Sequence, residues 1–153
     1  NDIDWIKSIT TMPIIIKGIL REEDALIAVK HGVAGIIISN HGGRQLDTTP
    51  TTIEVLPNIA NIVENKLDIL IDRGIRRGTD VLKAIALGAK AVLIGRPIIW
   101  GLSTEGKTGV NDVLQIINEE LKTTMALCGC QTLKDITPDL ILRNFRKKDF
   151  FYE

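Results

Sequence analysis

The stretch Gly35-Ile36-Ile37-Ile38-Ser39-Asn40-His41-Gly42-Gly43-Arg44 decides how the chain folds. Its first four residues are a glycine and an uninterrupted β-branched run, the pattern of a strand buried on both faces of a parallel sheet. The glycine-bearing loop that follows then lies just past a strand's C-terminal end. In α/β folds that rim binds ligands, because its loops vary while the sheet holds them in place. His41 and Arg44 fall on this loop, a base close in sequence to a guanidinium.

Upstream, Ile14-Ile15-Ile16 reads as a strand that runs into Lys17-Gly18 and places a cation at its end. Residues 21–31 carry Ala25, Leu26, Ala28 and Val29 behind Glu22, Glu23 and Asp24, the early acidic charge that a helix N-terminus favours, and Gly32 closes that helix. Trp5 to Ile9 reads as a short amphipathic turn or helix end, with Met12-Pro13 as punctuation. Downstream, residues 51–64 place Ile53, Leu56, Ile59, Ala60 and Val63 at helical spacing, with Pro57 interrupting. A third strand over 68–72 leads into Arg73-Gly74-Ile75-Arg76-Arg77-Gly78-Thr79-Asp80, and a helix over 81–87 ends at Gly88. The fourth strand, 91–94, ends in Gly95-Arg96-Pro97. A helical hairpin follows: 98–102, a loop through Gly109, and 110–127. Residues 143–153, basic and aromatic in alternation, read as an extended surface segment or frayed end.

Four strand-loop-helix units without hairpin signals predict an α/β chain with a parallel sheet and right-handed crossovers. The spacing of roughly 25 residues between strands matches half of a (β/α)8 TIM barrel, which takes about 250 residues in full. A doubly wound sheet is the alternative, and periodicity does not separate the two.

At 153 residues and 44% hydrophobic, the chain has material for one core, and one domain over 1–153 is expected, with 143–153 as its tail. Lys+Arg and Asp+Glu are 19 each, so no electrostatic pull toward nucleic acid or an anionic membrane is expected. No apolar run nears the roughly 20 residues that span a bilayer, and the amino end is not a secretory signal. A soluble, intracellular chain is the expectation. Cys128-Gly129-Cys130 is too short for ordinary disulfide geometry and has no second cluster to complete a metal site, so two buried or idle thiols and no metal are expected. A start at Asn1 rather than Met points to a processed, trimmed or partial chain.

The four strand ends carry Lys17, then Ser39 with His41 and Arg44, then Asp72 with Arg76, then Gly95 with Arg96. As parallel neighbours they share one rim, rich in positive charge although the chain is neutral, and suited to an anionic ligand. The last two loops read as a phosphate cradle: Gly74, Gly78 and Gly95 permit close backbone approach, helix N-termini present amides, and Arg96 can grip phosphate bidentately. A single glycine turn would be weak evidence, because glycines also end strands for steric reasons; two at adjacent strand ends carry more. A loop histidine alone is usually only solvated. With Arg44 beside it, His41 is better read as a base next to a carboxylate-binding fork. A strand-end lysine can snorkel outward, but at this rim Lys17 could neutralise a developing anion.

Lys17-Gly18, Ser39 through Asp47, Asp72 through Asp80 and Gly95-Arg96-Pro97 together resemble the FMN-dependent α-hydroxy acid oxidases and dehydrogenases, over residues 5–139. The order of these motifs resembles the second half of that family's TIM barrel. The resemblance implies oxidation of a small 2-hydroxy acid to a 2-oxo acid, with oxygen as the usual acceptor. His41 would be the base and would contact the substrate, Arg44 would hold its carboxylate, Lys17 would lie near flavin N1, and Ser39 would also contact FMN. Asp72, Arg73, Gly74, Ile75 and Arg76, with Gly95 and Arg96, would hold the ribityl chain and phosphate. Two departures stand out. The family pattern at the third strand end is Asp-Gly-Gly, whereas Asp72-Arg73-Gly74 puts a bulky cation there. The family's first four barrel strands have no counterpart, so a homo-oligomer or a complementing N-terminal half is the expected partner, or a non-catalytic half-barrel binding phosphate or a partner chain. Relatives that are peroxisomal suggest that compartment or the cytoplasm, although Phe151-Tyr152-Glu153 is not a Ser-Lys-Leu-type signal.

Overall fold

A computed structural model of the chain describes residues 2–142. Four parallel strands form one sheet: β1 (Ile15–Ile19), β2 (Gly35–Ile38), β3 (Asp68–Asp72) and β4 (Ala91–Leu93). They lie in the order β1-β2-β3-β4 with every neighbouring pair parallel. A doubly wound sheet reverses its strand order at a switch point. No reversal occurs, so the arrangement is that of four successive units of a (β/α)8 barrel.

The helices are α1 (Asp2–Ile9), α2 (Glu22–Lys30), α3 (Thr52–Val63), α4 (Gly78–Ala86) and α5 (Arg96–Leu127). Thr51 and Glu54 close α3 with a capping box, and the helix runs through Pro57, whose interruption was expected to matter more. Packing overrides the one amide bond that proline removes. α4 begins three residues before the expected Val81, at a glycine that a β-carbon would drive to 2.1 Å from the Leu121 backbone nitrogen. α5 joins what was read as a hairpin with a seven-residue loop: it breaks only at Glu105 and Gly106. Its two arms meet so closely at Gly101 and Gly109 that a β-carbon on Gly109 would lie 2.1 Å from the Gly101 oxygen. The residues of the expected tail, 143–153, lie outside the described ones.

Ile36, Ile38, Ile69 and Ile71 point from the sheet into the helix layer, where Ala25, Ala28, Leu56, Ile59, Val63 and Ala84 meet them. Each isoleucine so buried stabilises the fold by about 1.5–3 kcal/mol relative to exposure. Side chains alternate across a strand, so Ile15, Lys17, Ile37, Leu70 and Leu93 face the other way. There Ile15 is exposed and Ile37, Leu70 and Leu93 are half-buried. The run around Ile37 was expected to be buried on both faces; only its helix face is. Cys128 is exposed and Cys130 buried, both free, and burial pushes the Cys130 thiol pKa up.

Candidate active site

Three strand ends meet through side chains. Lys17 donates to Ser39 Oγ at 2.7 Å, Ser39 donates to Asp72 Oδ2 at 2.9 Å, and Lys17 Nζ lies 2.8 Å from the same oxygen. β1 delivers Lys17 although it extends to Ile19, beyond the expected end at Ile16, because its register with β2 shifts between Lys17 and Ile19. Gly18, at φ 101°, makes that shift possible. The Asp72 carbonyl accepts from Thr52 Oγ1 at 2.8 Å, which ties the strand end to α3. Asp72 Oδ1 is buried and has no hydrogen-bond partner among the described residues. A buried carboxylate oxygen without a donor is costly, and such an atom marks a place for a ligand hydroxyl or amide.

The loop after β2 is held by its own polar groups. Asn40 accepts from the Gly42 amide at 2.9 Å and donates to the Pro50 carbonyl at 3.2 Å, and the His41 amide donates to Ser39 Oγ at 3.2 Å. The His41 imidazole lies over Gly18, where a β-carbon would come within 3.1 Å of Nε2. The glycine in β1 therefore makes room for the imidazole. Arg44 is exposed and makes no hydrogen bond or ion pair among the described residues.

A cavity of about 290 Å3 opens beside the Lys17-Ser39-Asp72 network. Lys17, Asp72, Arg73, Gly74, Ile75, Arg76, Gly95 and Arg96, all expected at the site, line it. Ser39, at the end of β2, and His41 and Arg44, on the loop that follows, do not. Gly74 and Gly95 face open space, so neither is crowded by the chain itself. A second cavity of about 500 Å3 lies between the His41 loop and the starts of α3 and α4, and Arg73 lines both.

The expected pair of helix N-termini is not equally available. Asp80 Oδ2 accepts from the amides of Arg76 and Arg77 at 2.9 Å each, and Glu120 Oε2 accepts from Gly78 at 2.8 Å. The amides that lead into α4 are thus taken by Asp80 and by Glu120 of α5. At the start of α5, Pro97 has no amide and Ile98 and Ile99 donate to the Gly95 carbonyl, which leaves the amides of Gly95 and Arg96 as the ones open to an anion. Arg77 is also taken, donating to both Glu120 oxygens at 2.8 and 3.0 Å, and this pairing lowers the Glu120 pKa. Arg76 remains toward the cavity, with its guanidinium 5.7 Å from the Trp100 ring centroid. Neither Trp100 nor Gly18 was named in the sequence as a site residue; Trp100 lies on α5 and Gly18 in β1, and each meets a side chain from the loop of another strand. Among the described residues no group of three or more His, Cys, Asp or Glu could hold a metal ion.

The family model described as FMN-dependent dehydrogenase matches residues 1–143. The chain is 58% identical over 144 residues to 2-hydroxyacid oxidase 1 of Mus musculus, covering 94% of this chain and 39% of that protein. It is 58% identical over 137 residues to a peroxisomal (S)-2-hydroxyacid oxidase of Arabidopsis thaliana, covering 90% of this chain and 38% of that one. The crystal structure of mandelate oxidase with (S)-2-phenylpropionate superposes with a TM-score of 0.86 at 45% identity, covering 89% of this chain and 41% of that one. The chain therefore spans about two fifths of the length of these relatives.

Proposed function

The chain belongs to the FMN-dependent dehydrogenase family, and from that premise we propose that it supplies the base, the carboxylate clamp and the phosphate cradle for oxidising a 2-hydroxy acid to a 2-oxo acid. The observation that carries this reading is the cavity beside the Lys17-Ser39-Asp72 network, where three arginines and a lysine face open glycine backbone.

The residues present fit FMN. Gly74 and Gly95 leave room where a β-carbon would narrow the cradle. Arg76, Arg96 and the uncapped start of α5 form a donor set for a phosphate. The unpartnered Oδ1 of Asp72 suits a hydroxyl of the ribityl chain. When bound, FMN would accept the two electrons that leave the substrate.

The chain's own residues do the rest. Arg44, exposed and unpaired, binds the substrate carboxylate by its planar fork. His41 accepts at Nε2 the proton released as the α-carbon is oxidised. Lys17, fixed by Ser39 and Asp72, holds positive charge where negative charge gathers on the cofactor. Oxygen is the proposed final acceptor, and the cytoplasm or the peroxisome the proposed compartment.

Addition of FMN should give yellow protein that retains flavin absorbance through gel filtration and is bleached anaerobically by a 2-hydroxy acid. Protein that stays colourless with added FMN would refute the reading for this chain. A second reading rests on the apolar sheet face of Ile15, Ile37, Leu70 and Leu93 and on the open edges of β1 and β4. It is a half-barrel that binds phosphate or a partner chain and does no redox chemistry. A complementing N-terminal half or a second copy would cover that face. Sedimentation at several concentrations separates the two readings: a stable flavin-free dimer supports the second, and a flavin-bound active species rejects it.

A further inference from the structure

Arg73 sits in the left-handed region at φ 72°, a conformation that strains a residue with a β-carbon. Such strain persists only where the surroundings hold it, and it gathers at functional sites. The holding contact is with the loop after β2. A β-carbon built on Gly42 would lie 3.2 Å from Cζ, 3.3 Å from Nη1 and 3.4 Å from Nε of Arg73, so the guanidinium lies flat against that glycine.

The neighbouring carboxylate does not account for the pose. Arg73 Nε is 3.9 Å from Asp72 Oδ1, beyond hydrogen-bond reach, and the Arg73 side chain is 38% exposed. An ion pair of that length and exposure contributes little. Arg73 meanwhile lines both the 290 Å3 and the 500 Å3 cavities, so it forms part of the wall between the phosphate cradle and the space behind the His41 loop.

We infer that Arg73 is a clasp: a positioning residue whose flat guanidinium holds the His41 loop against the end of β3 and so couples the cradle to the proposed base. Its consequence for the reaction rests on the role proposed above for His41. Its consequence for the loop does not, which allows the two to fail separately.

The test reads the full chain without any added cofactor. The Gly42 and Gly43 amides are bonded to Asn40 within the loop, at 2.9 and 3.0 Å, so their hydrogen exchange reports loop order. The chain has two histidines, and His31 lies beyond the end of α2, 3.0 Å from Asp4, as an internal control for the ring resonances of His41. Arg73→Gly should leave thermal unfolding unchanged or raise it, because a glycine relieves the left-handed strain. The same variant should speed exchange at Gly42 and Gly43 by about fivefold or more and shift the His41 ring resonances while leaving those of His31 in place. Arg73→Lys keeps the charge but not the planar fork and should behave as Arg73→Gly does at the loop. Unchanged exchange in Arg73→Gly would overturn the clasp. So would wild-type protection in Arg73→Lys, which would reduce Arg73 to a charge beside Asp72. Failure of the wild-type chain to take up FMN would refute the proposed function and leave this result standing.

Discussion

The helix-covered face of the sheet and its C-terminal rim are built on opposite terms. On the helix side, Ile36, Ile38 and Ile71 are fully buried and, among the described residues, no buried polar side-chain atom goes without a partner. At the C-terminal rim, His41, Arg73 and Gly74 have positive φ, Asp72 keeps an unpartnered oxygen, and Arg44, Arg76 and Arg96 remain exposed. The difference teaches where stability and ligand affinity come from in one small α/β unit. The covered face supplies packing energy, and that surplus lets the rim keep strain and unsatisfied groups that a ligand can use.

The sharpest way to break this comparison is to cut into each face in turn. Ile38→Ala should cost about 2–5 kcal/mol in urea unfolding, as a large-to-small change at a fully buried site does. Leu93→Ala, on the uncovered face, should cost well under half of that. Equal losses would mean that the second face is also packed in solution. Gly18→Ala should cost about 1–3 kcal/mol from its φ of 101° and should displace the His41 ring. Normal His41 resonances in that variant would separate Gly18 from the His41 ring.

Smaller effects sharpen the rim itself. Trp100→Leu should weaken FMN binding by about two- to fivefold, the worth of one exposed cation–π contact, whereas Trp100→Phe should keep most of the affinity. Equal loss in both variants would show that the ring face is not what orients Arg76. The smallest effect concerns Glu120, whose pKa is lowered by Arg77 and the Gly78 amide. Its folded value lies below the ordinary glutamate value of 4.5. The stabilisation is therefore complete above that value and is lost as pH falls through the lowered one. Thermal unfolding should show this loss as pH falls below 4.5, and Glu120→Gln should lose less than the wild type, since the lowered carboxylates of Glu23, Glu54 and Asp135 are common to both. Identical acid profiles would remove Glu120 from the tie between α4 and α5.

Local patterns made much of the architecture legible. β3 was read at its full extent because Asp68 and Asp72 bracket an apolar run, and α2 was read to within a residue because acidic groups open it and Gly32 follows it. The site was legible as a set of strand-end residues, since parallel strands bring their C-terminal ends to one rim. Contacts were not. Nothing in the run Gly74-Ile75-Arg76-Arg77 says that Arg77 turns to Glu120 while Arg76 turns to Trp100. The loop between the arms of α5 was overestimated because it was read to run through Gly109. The helix breaks only at Glu105 and Gly106, and Gly109 is where one arm's backbone touches Gly101 of the other.

Composition, strand spacing and the order of the rim motifs thus determined a parallel α/β chain with a cationic rim, because those properties depend on neighbours in sequence and on the strand's twofold alternation. The tertiary structure alone decided the unreversed strand order, the orphaned Asp72 oxygen, the capping that leaves α5 rather than α4 open to an anion, and the pose of Arg73 over Gly42. Each of these is set by groups distant in the chain, and their energies exist only once the sheet has brought them together.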